Sequence, residues 1–249
     1  MRRKDAVAVT TTITMSNPFF KFKQFTIWHD KCAMKVGTDG VLLGAWAPVS
    51  GYGLRVTDYR ILDVGTGSGL IARMLMQRCP EAEVEGIDID EAAVAQAKEN
   101  GVRAFQARLQ DWKLDIGDCY DLIVSNPPYF KNSLKNPDEG RKAARHTDSL
   151  SYEELIAHSA RLLKKEGLLA LILPAEAEVE IREIAAPYSL FPSHITRVFS
   201  KESKPARRVL IAFRRQNSDV SLIEDSLVLE DEKGGRSAAY SALCKEFYL

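Results

Sequence analysis

The sequence predicts an α/β fold in which a mostly parallel β-sheet carries helices on both faces. Short runs of β-branched and other apolar residues alternate with stretches of helical spacing along the chain, which is the pattern of such a sheet. A glycine-rich turn at residues 65–69 lies between a predicted strand and a predicted helix. The composition, 45% hydrophobic and 27% charged, is that of a globular protein and excludes a disordered or fibrous chain.

Apolar periodicity and end signals place the elements in order from residue 41 to the C-terminus. Asp90 is placed to cap one helix, Ser151 and Glu154 form a capping box at the start of another, and Gly167 is expected to end that second helix. The predicted strands are 60–64, 84–88, 102–107, 120–125, 168–173, 195–200 and 208–213, the last two as an antiparallel hairpin, and the predicted helices are 41–46, 70–78, 90–100, 151–165, 176–186 and one near 240–247.

The turn at residues 65–69 has the features of a nucleoside-binding loop. Glycines at 65, 67 and 69 permit positive φ and leave no Cβ between the backbone amides and a ligand. Asp88 ends the next strand roughly 20 residues further on, where a carboxylate can accept both hydroxyls of a ribose. A dinucleotide loop has its third glycine one residue later, and a Walker A loop requires Lys where this chain has Leu70. The sequence therefore predicts a nucleoside cofactor of another class.

Residues 62–69, Leu-Asp-Val-Gly-Thr-Gly-Ser-Gly, resemble the S-adenosylmethionine loop of class I methyltransferases. The resemblance implies a Rossmann-like, seven-stranded, mostly parallel sheet and S-adenosylmethionine as cofactor. It implies that Asp88 binds the ribose and that Asp111 contacts the adenine, although a solvent-facing turn aspartate is the alternative for Asp111. The expected cofactor-binding residues are Thr38, Asp39, Asp63, Gly65, Thr66, Gly67, Gly69, Asp88, Ile89, Asp111, Trp112 and Asn126.

Residues 126–129, Asn-Pro-Pro-Tyr, follow a buried strand and therefore lie at the carboxyl edge of the sheet. The side-chain oxygen of Asn126 and the carbonyl of Pro127 can each accept one N–H of a planar amino group, and Tyr129 offers a face for stacking. This arrangement predicts methyl transfer to an amino nitrogen, with Asn126, Pro127, Pro128 and Tyr129 as the catalytic residues. The motif leaves open whether the amino group belongs to adenine, guanine or a glutamine side chain.

Residues 32–46, Cys-Ala-Met-Lys-Val-Gly-Thr-Asp-Gly-Val-Leu-Leu-Gly-Ala-Trp, together with residues 205–210 and 247–249, are similar to blocks of the tRNA(Val) adenine-N6 methyltransferases. The resemblance spans roughly residues 18–249 and implies N6 methylation of adenosine 37, next to the anticodon of tRNA(Val). A glutamine-N5 protein methyltransferase, an rRNA guanine-N2 enzyme and a DNA adenine-N6 enzyme are the alternatives. Thr38 and Asp39, within the first block, also read as helix caps.

Two basic segments are candidates for contact with RNA. Lys201, Lys204, Arg207 and Arg208 lie in and beside the loop of the predicted hairpin, and Arg145 and His146 lie in the polar stretch after the Asn-Pro-Pro-Tyr motif. Ordinary solvated loops are the alternative in both places. The chain has 34 basic and 34 acidic residues, so the overall charge gives no support to nucleic-acid binding and the argument rests on these local clusters.

The remaining expectations concern the ends of the chain and its surroundings. Residues 1–17 are expected to be a disordered leader, with Met15 as an alternative start, and residues 18–249 a single methyltransferase domain with a short N-terminal extension. The longest apolar run is too short for a membrane span, and the four cysteines are too far apart for a zinc or disulfide framework. We therefore expect a cytoplasmic monomer without a metal.

Overall fold

An eight-stranded β-sheet organises the part of the chain that the computed structural model describes, which is residues 17–32, 34–49, 58–113, 119–128, 150–215 and 221–249. Nearly all of the expected leader, residues 1–16, lies outside the described residues. The strands are β1 (Phe19–Lys21), β2 (Thr26–Trp28), β3 (Arg60–Val64), β4 (Glu83–Asp88), β5 (Arg103–Gln106), β6 (Tyr120–Ser125), β7 (Leu163–Pro174), β8 (Leu190–Phe199), β9 (Ala206–Arg215) and β10 (Ile223–Val228).

The helices alternate with the strands as the sequence predicts. They are α1 (Thr38–Trp46), α2 (Leu70–Arg78), α3 (Glu91–Glu99), α4 (Tyr152–Leu162), α5 (Glu178–Ala185) and α6 (Ala238–Leu243), with short 3-10 turns at Ala175–Ala177 and Ala186–Tyr188. The caps expected at Asp90 and at Ser151 with Glu154 are both present.

The strand order β10-β8-β9-β7-β6-β3-β4-β5 confirms the predicted α/β class. Strands β3 to β7 are parallel, and β9 runs antiparallel between β7 and β8. The predicted hairpin is therefore present as β8–β9. Beyond the seven predicted strands, the chain adds an eighth edge strand, β10, parallel to β8, and a separate two-stranded hairpin, β1–β2.

The boundary between α4 and β7 corrects the sequence analysis. The predicted helix 151–165 ends at Leu162, and Gly167 lies inside the strand rather than after the helix. A Cβ on Gly167 would lie 2.8 Å from the carbonyl oxygen of Tyr120, so glycine here permits close approach of β7 to β6. The apolar run that looked helical up to Leu163 already belongs to the pairing with β6, where Leu163 faces Tyr120.

Two apolar layers cover the sheet. One contains buried residues of α1, α2 and α3 together with the β1–β2 hairpin and the C-terminal segment, and the other contains buried residues of α4 and α5. Helices thus lie on both faces, and both faces of the central strands are buried, as a parallel sheet requires. The carboxyl ends of β3, β4 and β6 meet at one edge, where Val64 pairs with Ile87 on one side and with Ser125 on the other.

Candidate active site

A cavity of about 830 Å³ lies at the carboxyl edge of the central strands. Open α/β sheets bind their ligands at this edge. Its walls come from five segments and Leu150: residues 34, 35 and 37–40, residues 64–68 with Leu70 and Ile71, residues 87–89, residues 107–110 and residues 125–128. Eight of the twelve expected cofactor residues line it: Thr38, Asp39, Gly65, Thr66, Gly67, Asp88, Ile89 and Asn126.

The glycine turn leaves open space on its cavity side. Gly65 and Gly67 have φ of 71° and 55°, and no atom lies within 4 Å of the position that a Cβ would take at either residue. The amides of Gly65 and Thr66 both donate to the carbonyl of Ile87, at 2.9 and 3.0 Å. The turn is therefore fixed to β4 while its backbone stays accessible to a ligand.

Asp88 is held in place by the backbone on both sides of it. Its Oδ2 accepts from the amide of Gly67 at 2.9 Å, and its Oδ1 accepts from the amide of Asp90 at 3.0 Å. Each carboxylate oxygen has a second lone pair, so both can still accept from hydroxyl groups in the cavity. This fixed carboxylate at the cavity wall is what a ribose site requires.

Asp63 supports the glycine turn from beneath and does not line the cavity, unlike Asp39 and Asp88. Its side chain is fully buried, and Oδ2 accepts from the hydroxyl of Thr66 at 2.8 Å and from the amide of Ala72 at 3.2 Å. Oδ1 has no hydrogen-bond partner among the described residues. Burial raises the pKa of the Asp63 carboxyl to about 7. Asp63, which the sequence predicted to bind the cofactor, therefore supports the turn and lies outside the cavity wall.

Three other expected cofactor residues also lie off the cavity. Gly69 caps α2 from the left-handed region, with φ 80°, and Asp111 is exposed. The indole nitrogen of Trp112 donates to the hydroxyl of Tyr120 at 3.0 Å, and that hydroxyl donates to the buried carboxylate of Glu85 at 2.8 Å. The chain after β5 instead presents Ala107, Arg108, Leu109 and Gln110 to the cavity.

The wall formed by α1 differs from the predicted helix cap. The N-cap residue is Gly37, so Thr38 and Asp39 lie in the first turn of α1 and not at its cap position. The Asp39 carboxylate instead accepts from Nε of Arg208 at 2.8 Å. This ion pair connects the start of α1 to the start of β9, so Arg208, expected to contact RNA, is engaged with the cavity wall.

Asn100, which the sequence analysis did not single out, connects the N-terminal hairpin to the glycine turn. Its Oδ1 accepts from the amide of Trp28 at 2.9 Å, and its Nδ2 donates to the carbonyls of Trp28 and Ser68, both at 2.8 Å. The residue is 7% exposed and closes α3 as its C-cap. Its only sequence signal was the helix end just before Gly101.

Residues 126–128 begin where β6 ends at the cavity. The hydroxyl of Ser125 donates to the carbonyl of Val64 at 2.8 Å, which fixes the end of β6 to the end of β3. Asn126, Pro127 and Pro128 follow and line the same cavity as the glycine turn. Tyr129, Arg145 and His146 lie outside the described residues.

The tip of the β8–β9 hairpin projects at this same edge of the sheet. Arg208 pairs with Pro174, the last residue of the parallel strand β7, so the residues just before it lie beyond the carboxyl ends. Lys201, Lys204 and Arg207 are exposed there, and Lys201 forms an ion pair with Glu230 at 3.4 Å. Exposed cations therefore lie at the edge of the sheet that carries the cavity.

Neither a membrane span nor a metal cluster is found in the described ranges. No helix there is both long and apolar enough to cross a bilayer. Across the same residues, no three His, Cys, Asp or Glu side chains are grouped in a way that could hold a metal ion.

The sequence matches a family described as methyltransferase small domain over residues 53–186. Curated relatives named tRNA1(Val) (adenine(37)-N6)-methyltransferase match almost the whole chain. The relative from Bacteroides thetaiotaomicron is 47% identical over 94% of this chain and 99% of its own length. That from Parabacteroides distasonis is 47% identical with the same coverage, and that from Flavobacterium johnsoniae is 43% identical over 92% of this chain and 99% of its own.

Among solved structures, a predicted O-methyltransferase from Agrobacterium tumefaciens has the same fold. It superposes with a TM-score of 0.62 at 20% identity and covers 84% of this chain and 96% of its own. This likeness confirms the fold class and says nothing about the substrate.

The buried Asp63 carboxyl makes the stability of the fold depend on pH. Its pKa is raised from 3.8 to about 7, so the folded state holds the proton more tightly, and stability falls as pH rises between those values and is constant above. Asp63→Asn keeps one oxygen for Thr66 and Ala72 and carries no charge. We expect the free energy of unfolding of wild type to decline, by at most about 1.4 kcal/mol per pH unit, relative to that of Asp63→Asn.

Urea unfolding followed by circular dichroism between about pH 5 and about pH 8 measures this difference. The slope with pH is the readout, because the amide nitrogen of Asn adds a constant cost of about 1–3 kcal/mol when it has no partner. Parallel curves for the two proteins would show that Asp63 is not protonated in the folded state at acidic pH.

Proposed function

Because the chain belongs to the family of tRNA1(Val) (adenine(37)-N6)-methyltransferases, we propose that it transfers a methyl group from S-adenosylmethionine to the N6 amine of adenosine 37 in tRNA(Val). The observation that carries the proposal is the position of Asn126 and Pro127 in the wall of a cavity whose other walls include the glycine turn and Asp88. The residues that we expect to hold the amino group and those that we expect to hold the nucleoside therefore line the same cavity. Other amino-group substrates of the same motif are separated by the experiments below.

The cavity residues fit S-adenosylmethionine. Asp88 offers two carboxylate oxygens for the ribose hydroxyls, and Ile89 and Leu109 offer apolar surface for the adenine. The open space above Gly65 and Gly67 admits the rest of the molecule close to the backbone. When bound, the sulfonium supplies an electrophilic methyl group with a neutral leaving group.

We assign to Asn126 and Pro127 the task of holding the substrate nitrogen. The Asn126 side-chain oxygen and the Pro127 carbonyl would each accept one N–H of the adenine amine. Two acceptors on one planar amine favour pyramidalisation and stabilise the positive charge that develops on nitrogen until a proton leaves. Pro127 and Pro128 have no amide hydrogen, so no backbone donor at these two positions competes for the same oxygens. Holding the amine in line with the methyl group supplies the remaining acceleration.

The exposed cations of the β8–β9 tip support RNA as the substrate. Lys204 and Arg207 lie at the edge of the sheet that also carries the cavity, where they can contact phosphates beside the target base. An anticodon loop is single-stranded, so presenting adenosine 37 costs only a few kcal/mol of unstacking. Four cysteines without a disulfide support a reducing compartment, and we propose that the enzyme acts in the cytoplasm as a monomer.

The central test is Asn126→Ala with purified tRNA(Val) and S-adenosylmethionine. Loss of one of the two acceptors should lower kcat at least about 100-fold, as removal of an oxyanion-type contact does. Nucleoside mass spectrometry of the tRNA measures N6-methyladenosine directly. Affinity for S-adenosylhomocysteine, measured by calorimetry, should stay within about threefold.

Two outcomes would contradict this proposal. The first uses a tRNA(Val) transcript with guanosine at position 37. Equal methylation of this transcript and of the normal one by the wild-type enzyme would exclude the adenosine assignment. Full activity of Asn126→Ala would exclude the acceptor role. Loss of folding, detected by circular dichroism, calls for Asn126→Asp as the second variant, which keeps an oxygen acceptor and should retain more activity than Asn126→Ala.

Asp88→Ala tests the ribose site. Removing a carboxylate that accepts two hydroxyls should weaken binding of S-adenosylhomocysteine at least about tenfold. The matched control is Asp90→Ala, because Asp90 lies two residues further on and caps α3 but does not line the cavity. Calorimetry that shows equal losses for both variants would assign the effect to the helix, and an unchanged Kd for Asp88→Ala would remove the residue from the site.

Charge reversal of Lys204 and Arg207 tests the RNA contact. Each phosphate contact that is lost should lower tRNA affinity and reduce the dependence of log K on log salt by about 0.7–0.9. Arg208 is left unchanged because it pairs with Asp39. Lys165→Glu is the matched control, since Lys165 is exposed near the amino end of β7, away from the cavity edge. A salt dependence identical to wild type would rule out contact with phosphates.

A further inference from the structure

The outer face of the β1–β2 hairpin combines two aromatic rings with a cation. Phe19 pairs with Trp28 and Lys21 pairs with Thr26, and alternate residues of a strand share one side. Phe19, Lys21 and Trp28 therefore lie on one side, here called the hairpin face, while Ile27 is fully buried on the other. The rings of Phe19 and Trp28 are 5.0 Å apart, and Trp28 is 46% exposed.

The hairpin face is attached to the wall of the cavity. The carbonyls of Trp28 and Ser68 accept from the same nitrogen of Asn100, each at 2.8 Å, and Ser68 lines the cavity. Both backbone groups of Trp28 bond to Asn100. These bonds fix the backbone that carries the indole ring. A half-exposed tryptophan next to the site is thus held in place by the same side chain that holds the glycine turn.

Further cations lie in the segment that follows the hairpin face and borders the cavity. After Trp28 the chain reaches Lys35, which is exposed and lines the cavity, and then Asp39, which pairs with Arg208 beside the basic β8–β9 tip. Among the described residues, Lys21 and Lys35 form no ion pair, whereas Lys31 pairs with Glu99. Exposed cations therefore lie on the hairpin face, in the cavity wall at Lys35 and at the β8–β9 tip.

We propose that the hairpin face binds the anticodon arm of the substrate tRNA, with an unpaired nucleotide of the loop stacked on Trp28 and a phosphate paired with Lys21. The proposal rests on the proposed function, because it takes tRNA as the substrate. Aromatic rings combined with lysines are the surface that single-stranded RNA binds. A protein partner fits less well, since lysine is depleted from the centres of protein interfaces.

The test compares Trp28→Ala, Trp28→Phe and Lys21→Ala with wild type for binding of full-length tRNA(Val), measured by fluorescence anisotropy. Loss of one stacked base should weaken binding about 5- to 100-fold in Trp28→Ala, and phenylalanine should restore most of it. Lys21→Ala should weaken binding severalfold and reduce the salt dependence, whereas Lys165→Ala should change neither. Affinity for S-adenosylhomocysteine should be unchanged in every variant, because these side chains do not line the cavity.

Each other outcome overturns the proposal in a recognisable way. Wild-type tRNA affinity in Trp28→Ala would exclude stacking. Weaker binding of S-adenosylhomocysteine in Trp28→Ala would show that the residue acts on the cavity through Asn100. A change from dimer to monomer in sedimentation of Trp28→Ala would assign the face to self-association. If wild type binds S-adenosylhomocysteine but neither binds nor methylates tRNA(Val), the proposed function itself fails.

Discussion

Close packing of the glycine turn on the sheet is the constraint on which the site depends. A Cβ on Gly86 would lie 2.7 Å from the hydroxyl of Thr66, so the turn lies directly on β4. The Thr66 hydroxyl then reaches the buried carboxyl of Asp63, and the Gly67 amide reaches Asp88. One turn therefore decides both where the backbone is open to a ligand and how the Asp88 carboxylate points. Larger side chains at residue 86 would displace all of these contacts together.

Two polar contacts hold together segments that are distant in sequence and that border the cavity or support its wall. Asn100 joins the N-terminal hairpin to the glycine turn, and the Asp39–Arg208 pair joins α1 to β9. The Asn100 amide makes three hydrogen bonds, with its oxygen accepting one and its nitrogen donating two. A buried amide that bonds to two separate segments favours one arrangement of the segments it joins. The N-terminal hairpin is therefore fixed to the cavity wall through Asn100.

Sequence reasoning succeeded where one local pattern decides the structure. The strands at 60–64 and 120–125 and the helix at 70–78 have the predicted bounds, because apolar runs, glycine and Pro80 all indicate the same ends. It failed where a distant partner decides. Trp112 faces Tyr120 and Glu85 rather than the cavity, and β10, with four exposed residues at its start, has no apolar run to reveal it. Asn100 was missed because its partners are 72 and 32 residues away in sequence.

A chain of zero net charge can still bind RNA if its charges are sorted by position. Near the amino ends of β3, β4 and β5, the acidic Glu83 and Glu85 pair with Arg60 and Arg103, so those acids and bases cancel locally. At the carboxyl edge the exposed cations of the β8–β9 tip and Lys35 stand beside the cavity. Because salt screens charges beyond about 8–10 Å, a phosphate beside the β8–β9 tip would interact with these cations and would be little affected by acidic residues at the opposite edge of the sheet. A neutral net charge is therefore compatible with the cationic β8–β9 tip on which the proposed RNA contact depends.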